Sequence, residues 1–119
     1  ITKEIKTLYN EWLESPVFSD ETKDELRGLS EDEIIDRFYT ELTFGTSGVR
    51  GKLGAGTNRM NIYLIRRLSW SLGQALIAED IADRGVVIAC DSRRFSEDFA
   101  LETALVLGAL GIKSYLFKA

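Results

Sequence analysis

The chain has 119 residues, of which 45% are hydrophobic, enough for one domain with its own core. It contains no histidine and one cysteine, Cys90, which excludes Ser-His and Cys-His nucleophile pairs, a Cys/His zinc cage and an intrachain disulfide framework. No uncharged apolar run of about 18 residues is present, so no membrane span or signal peptide is indicated, and the lone thiol suits a reducing compartment; a cytoplasmic protein without a membrane partner is the expectation.

The net charge of −4 is unevenly placed: residues 1–43 sum to −7 and residues 44–119 to +3. Between Glu41 and Glu79 there is no acidic residue, whereas Arg50, Lys52, Arg59, Arg66 and Arg67 fall inside the gap. An anionic ligand is the simplest explanation, although solvated helix faces account equally well for Arg66 and Arg67. The overall acidity argues against nucleic acid.

Residues 1–13 place Ile5, Leu8, Trp12 and Leu13 at helical spacing, and Ser15-Pro16 ends the run. Ser19 and Asp20 open a short second helix, with Arg27 in its last turn and Gly28 expected as the C′ residue beyond its end. Ser30 followed by Glu33 is a capping-box pattern that starts a third helix, running to about Tyr39.

FGTSGVRGKLGAG, residues 44–56, is too rich in glycine for a stable helix and lets backbone approach a ligand closely; a short strand over Val49 to Leu53 is compatible with it. From Thr57 or Asn58 as N-cap, a helix of about 20 residues is expected to bury Ile62, Ile65, Leu68, Leu72 and Leu76, with Arg59, Tyr63, Arg66 and Trp70 on another face. The apolar run VVIAC after Gly85 suits a strand buried on both faces of a parallel sheet. Ser96 is the expected cap of the next helix, Gly111 closes it, and IKSYLF follows as a strand, which together make a right-handed βαβ crossover.

Two constellations carry chemistry. Gly45-Thr46-Ser47-Gly48-Val49-Arg50-Gly51 combines flexible backbone, two hydroxyls and a guanidinium, the groups that hold a phosphate through N–H donors and a bidentate fork. It lacks the Gly-Lys-Ser/Thr ending of a Walker loop and the spacing of a dinucleotide fingerprint. Asp91-Ser92-Arg93-Arg94 lies between a strand and a helix N-terminus, the edge where parallel sheets collect ligands. There Asp91 could equally pair with an arginine to hold two loops together, leaving Arg93 as scaffold. Thr46, Ser47, Gly48 and Arg50 are the candidate phosphate-binding residues, and Lys52, Arg59, Asp91 and Arg93 are possible supports. Cys90 reads as a strand residue without a catalytic role.

FGTSGVRG, then GKLGAGTNRMN, then VVIACDSRRFSEDFA, in this order and spacing, resemble the first domain of the α-D-phosphohexomutases over roughly residues 40 to 119. GAGTNRMN is similar to the phosphoglucomutase/phosphopentomutase branch. The resemblance implies a three-layer αβα domain with a mixed, largely parallel sheet over residues 44–119; the acidic helical leader over residues 1–43, bounded near Glu41, is expected to pack on it. It implies a magnesium-dependent mutase that moves phosphate between the 1-position and a distal hydroxyl of a sugar phosphate through a phosphoserine and a bisphosphorylated sugar. Arg50 matches the family arginine that contacts phosphate near the phosphoserine.

The family's Thr-Ala/Gly-Ser-His-Asn-Pro loop and its Asp-Gly-Asp-x-Asp magnesium loop are absent from these 119 residues. The chain therefore reads as an excised, truncated piece, expected to be inactive alone and to self-associate through faces the parent would cover. The rival from another class is a noncatalytic anion-binding or regulatory α/β module.

Overall fold

The structure, a computed structural model, describes residues 1–42, 51–90 and 96–118. Contacts divide the chain into two compact units, Ile1–Asn61 and Ile62–Ala119.

The first unit is built on three helices, α1 (Lys3–Glu14), α2 (Asp20–Arg27) and α3 (Glu31–Phe38). Each begins at a hydroxyl that accepts an otherwise unpaired N–H: Thr2 from Ile5, Ser19 from Thr22 and Ser30 from Glu33. At Ser30 the capping box is complete, because the Glu33 carboxylate accepts in return from the Ser30 N–H. Ser15 ends α1 with ψ of 134°, the extended conformation that Pro16 imposes on its predecessor. Gly28 departs from its expected role: it is the C-cap of α2 itself, at φ −84°, where no left-handed residue is required.

Six apolar residues of this unit are buried among those described, Ile5, Trp12, Leu26, Ile34, Phe38 and Ala55. Trp12 stacks on Phe18 with centroids 4.1 Å apart and meets Phe38 edge-on at 5.7 Å, while Tyr9 approaches the same ring edge-on and donates its hydroxyl to the Leu26 carbonyl. Residues 51–61 complete the unit, with Leu53 and Met60 in an isolated bridge. The strand expected over Val49 to Leu53 lies partly outside the described residues.

The second unit contains α4 (Ile62–Ala78), a 3₁₀ turn at Ala82–Arg84, β1 (Val86–Cys90), α5 (Ser96–Ala109) and β2 (Ser114–Lys118). β1 and β2 pair in parallel, from Val86 opposite Ser114 to Cys90 opposite Lys118, with α5 as the crossover. α4 crosses α5 where a side chain at Gly73 would collide with Leu110, and Ser69 donates to Thr103, which in turn donates to the Phe99 carbonyl. Leu107 and Ile112 are buried beside that contact.

α4 is shorter than its sequence suggested, 17 residues beginning at Ile62. Thr57 and Asn58 do not cap it, since both side chains are taken by carbonyls near the C-terminus of α3. Of the expected stripe, Ile65 and Leu68 are buried whereas Ile62, Leu72 and Leu76 are half-buried; Leu64, Ser69 and Gly73 take the remaining inward positions.

β1 is not enclosed on both faces, for Val87 is 66% exposed and the sheet has two strands among the described residues. The apolar run records the surroundings the strand is suited to; nothing among the described residues covers Val87. α5 carries apolar residues nearly all round, and Leu105 is 69% exposed. The described fold is thus α/β, with five helices and a small parallel sheet.

Candidate phosphate-site scaffold

Residues 54–61, which include the described end of the glycine-rich segment, are held from the helical leader. α3, like any helix, leaves its last carbonyls without helical partners, and residues 57–59 supply them. The Asn58 side chain donates to the Asp36 carbonyl at 2.9 Å, the Asn58 N–H to the Arg37 carbonyl at 2.9 Å, and Thr57 Oγ1 to the Thr40 carbonyl at 2.7 Å. Asn61 spans the inside of the loop, its Nδ2 donating to the carbonyls of Gly54 and Gly56, both at 2.9 Å. Gly56 is obligatory here: it has φ of +119°, and a Cβ would lie 2.7 Å from the Arg37 carbonyl oxygen.

Two ion pairs fix the same loop. Arg59, 8% exposed, pairs with the Asp36 carboxylate and also donates to the Asn58 carbonyl at 3.0 Å. Arg37 pairs with Glu25, and both reach the loop backbone: Glu25 Oε2 accepts from the Ala55 N–H at 2.8 Å and Arg37 Nη1 donates to the Ala55 carbonyl at 3.2 Å.

Burial pushes the Glu25 carboxyl up, but the Ala55 N–H and the Arg37 guanidinium outweigh it and leave the group below its ordinary value. The Arg59 hydrogen bond and charge lower Asp36 against a small desolvation penalty, helped by Lys52 and Arg37.

Of the residues singled out from sequence, Lys52 is exposed, with its carbonyl accepting from the Met60 N–H at 2.7 Å. Arg59 is turned into the scaffold, its charge met by Asp36, rather than displayed to a ligand. Arg66 is paired with Glu102. Thr46, Ser47, Gly48, Arg50, Asp91 and Arg93 lie outside the described residues. The flanks of the first group are described: Leu42 and Gly51 lie side by side, and a Cβ at Gly51 would meet Leu42 Cδ1 at 2.5 Å. The second group follows the last residue of β1 and precedes the first of α5. Glu25, Asp36 and Arg37 escaped sequence reasoning, because their partners stand 12 to 30 positions away. The acid-free stretch opposite an acidic leader was the available signal.

Residues 41–119 match the family model for phosphoglucomutase/phosphomannomutase, alpha/beta/alpha domain I. The chain belongs to this family. It is 45% identical over 80 residues to a phosphoglucomutase of Staphylococcus haemolyticus, covering 66% of this chain and 14% of that protein. It is 36% identical over 94 residues to one of Staphylococcus epidermidis (79% and 17%) and 34% identical over 105 residues to one of Staphylococcus saprophyticus (88% and 19%). The chain therefore spans less than a fifth of the length of these relatives. No solved structure matches it.

Proposed function

We propose that this chain is the N-terminal part of a phosphosugar mutase that interconverts glucose 1-phosphate and glucose 6-phosphate, or a related mannose or pentose phosphate, through a phosphoserine and a bisphosphorylated sugar. The observation that carries the reading is the family match over residues 41–119, which takes in both FGTSGVRG and the Asp91–Ser96 segment. In this reading the second unit contributes two strands and two helices to a three-layer αβα domain.

Phosphoryl transfer asks a protein mainly for positioning and for charge against the phosphate oxygens. Arg50 supplies a bidentate fork to one phosphate, Thr46, Ser47 and the Gly48 N–H surround it with donors, and Lys52 adds charge at the loop's exit. Arg59 and Asp36 keep the loop in place without touching the phosphate. Magnesium, when bound, neutralises charge on the transferred group. Among the described residues no cluster of three or more Cys, Asp or Glu could hold it. Its expected Asp-Gly-Asp-x-Asp ligands are not in this sequence.

Three measurements test the reading. The 119 residues alone, without a Ser-His-Asn-Pro loop, should turn over no glucose 1-phosphate above a buffer blank and should self-associate in light scattering through Val87, Leu105 and their neighbours. In a longer protein carrying this segment, Arg50→Ala should cost about 2–4 kcal/mol of transition-state stabilisation. Unchanged turnover in that variant would remove Arg50 from the site.

A further inference from the structure

We propose that Glu25 and Arg37, both on the helical leader, are positioning residues for the anion-binding loop: by gripping the two polar groups of Ala55 they hold the backbone that carries Lys52. The inference rests on reading that loop as a phosphate site.

The grip is made from one side only. Glu25 Oε2 accepts the Ala55 N–H, Arg37 Nη1 donates to the Ala55 carbonyl, and the two side chains are ion-paired with each other. Ala55 is buried, so neither polar group could turn to water without cost. Gly54 admits the arrangement because it has no side chain: at φ +148°, a Cβ would stand 2.9 Å from Arg37 Nη1 and 3.1 Å from Glu25 Oε2. From there the path to Lys52 is two hydrogen bonds long. The Gly54 N–H donates to the Met60 carbonyl at 3.2 Å, and the Met60 N–H to the Lys52 carbonyl at 2.7 Å.

The grip is not itself an anion site, since Glu25 cancels the charge of Arg37 beside it. Its effect on a ligand is therefore indirect, through the fraction of molecules in which the loop is already formed. Charge-assisted hydrogen bonds to a backbone suit that task, being roughly twice as strong as neutral ones.

The test is a titration of the ¹⁵N-labelled 119-residue chain with inorganic phosphate, followed at the Lys52 amide, for the unaltered protein and for Arg37→Met, Gly54→Ala, the double variant and Arg37→Lys. If either single change reduces the formed loop to about a tenth of the population, apparent affinity falls about tenfold. The double variant should then bind no more weakly than either single one, because both remove the same grip. Arg37→Lys should recover much of the loss, since one nitrogen makes both contacts. Hydrogen exchange should accelerate at Gly54, Ala55 and Met60 while α1 and α3 stay protected. Variants that bind phosphate as tightly as the unaltered chain, with those amides exposed, would overturn the inference and leave the phosphate site standing. Loss of protection throughout α1–α3 in every variant would also overturn it, by making the grip a general prop. Absence of phosphate binding by the unaltered chain would remove the site and the inference together.

Discussion

The Arg59 guanidinium is paired with the Asp36 carboxylate and at the same time reaches the Asp36 carbonyl oxygen at 3.5 Å, near the C-terminus of α3. A cation at this end of a helix meets both a counter-charge and the negative end of the helix dipole. An arginine that composition alone would count toward a ligand's charge is thereby committed to joining the leader to the glycine-rich loop.

This pairing has a pH signature. Asp36 and Glu25 both titrate below their ordinary values in the folded chain, so they bind fewer protons folded than unfolded over that window. Their contribution is complete above the unfolded carboxylate range, about pH 4, and is lost as pH falls through the lower folded values. The first unit should therefore lose stability in acid, less so at high salt because both groups are partly exposed. Urea midpoints of Trp12 emission, taken in a Trp70→Phe background from pH 7 to pH 3, should show the fall. Asp36→Asn with Glu25→Gln should flatten it, and an unchanged slope in that pair would refute the assignment.

Phe38 is the hub of the leader's core, 1% exposed and met edge-on by both Tyr9 and Trp12. Phe38→Ala should destabilise the first unit by about 3–5 kcal/mol, the range for a large buried ring replaced by a cavity. A loss below about 1 kcal/mol, outside that range, in a Trp12-monitored denaturation would mean the site collapses freely.

Local rules recovered the helices of the leader because their signals lie within a few residues of one another: the apolar spacing of Ile5, Leu8 and Trp12 stopped at Ser15-Pro16, Ser19 ahead of Asp20, and Ser30 with Glu33. The parallel crossover was legible for a similar reason, as a β-branched run, a helix and a closing glycine in series, although Ser96, expected as the cap, is the first residue of α5 itself. Thr57 and Asn58 misled because a hydroxyl and an amide before a helix look like caps whether or not a distant carbonyl claims them. The grip of Glu25 and Arg37 on Ala55 was invisible, since nothing in a single sequence states which acid meets which base across 12 positions. The exposure of Val87 was misjudged for another reason: hydropathy reports what a strand is suited to meet, and nothing among the described residues meets it.

Gly56 offers a test of the loop independent of charge. Its φ of +119° is hostile to a side chain, and the nearest atom a Cβ would strike is backbone, the Arg37 carbonyl oxygen, which cannot swing aside. Gly56→Ala should cost the first unit about 1–3 kcal/mol, the usual strain for such a backbone conformation. Wild-type stability in thermal denaturation would mean that residues 54–58 can leave α3 without loss.

The second unit ends two helices with the same device, once with the residue suited to it and once without. After α5, the Gly111 N–H donates to the Gly108 carbonyl and the Ile112 N–H to the Leu107 carbonyl, with Gly111 at φ +78°. After α4, the Asp80 N–H donates to the Ile77 carbonyl and the Ile81 N–H to the Leu76 carbonyl, with Asp80 at φ +57°. Both are Schellman closures, in which the C′ residue must be left-handed. That conformation costs an ordinary L-residue about 1–2 kcal/mol, less for Asp, and costs glycine nothing in contacts. Asp80→Gly should therefore raise the stability of the second unit by no more than about 0.5 kcal/mol, because the greater freedom glycine gives the unfolded chain offsets most of the relieved strain. Gly111→Ala should lower it by about 1 kcal/mol through backbone strain alone. Among the described residues, no heavy atom beyond its chain neighbours lies within 4 Å of a Cβ at Gly111, so crowding is not the cause. Circular dichroism melts of the two variants should shift in opposite directions, and a shift of the same sign in both would show that the αL cost does not govern these helix ends.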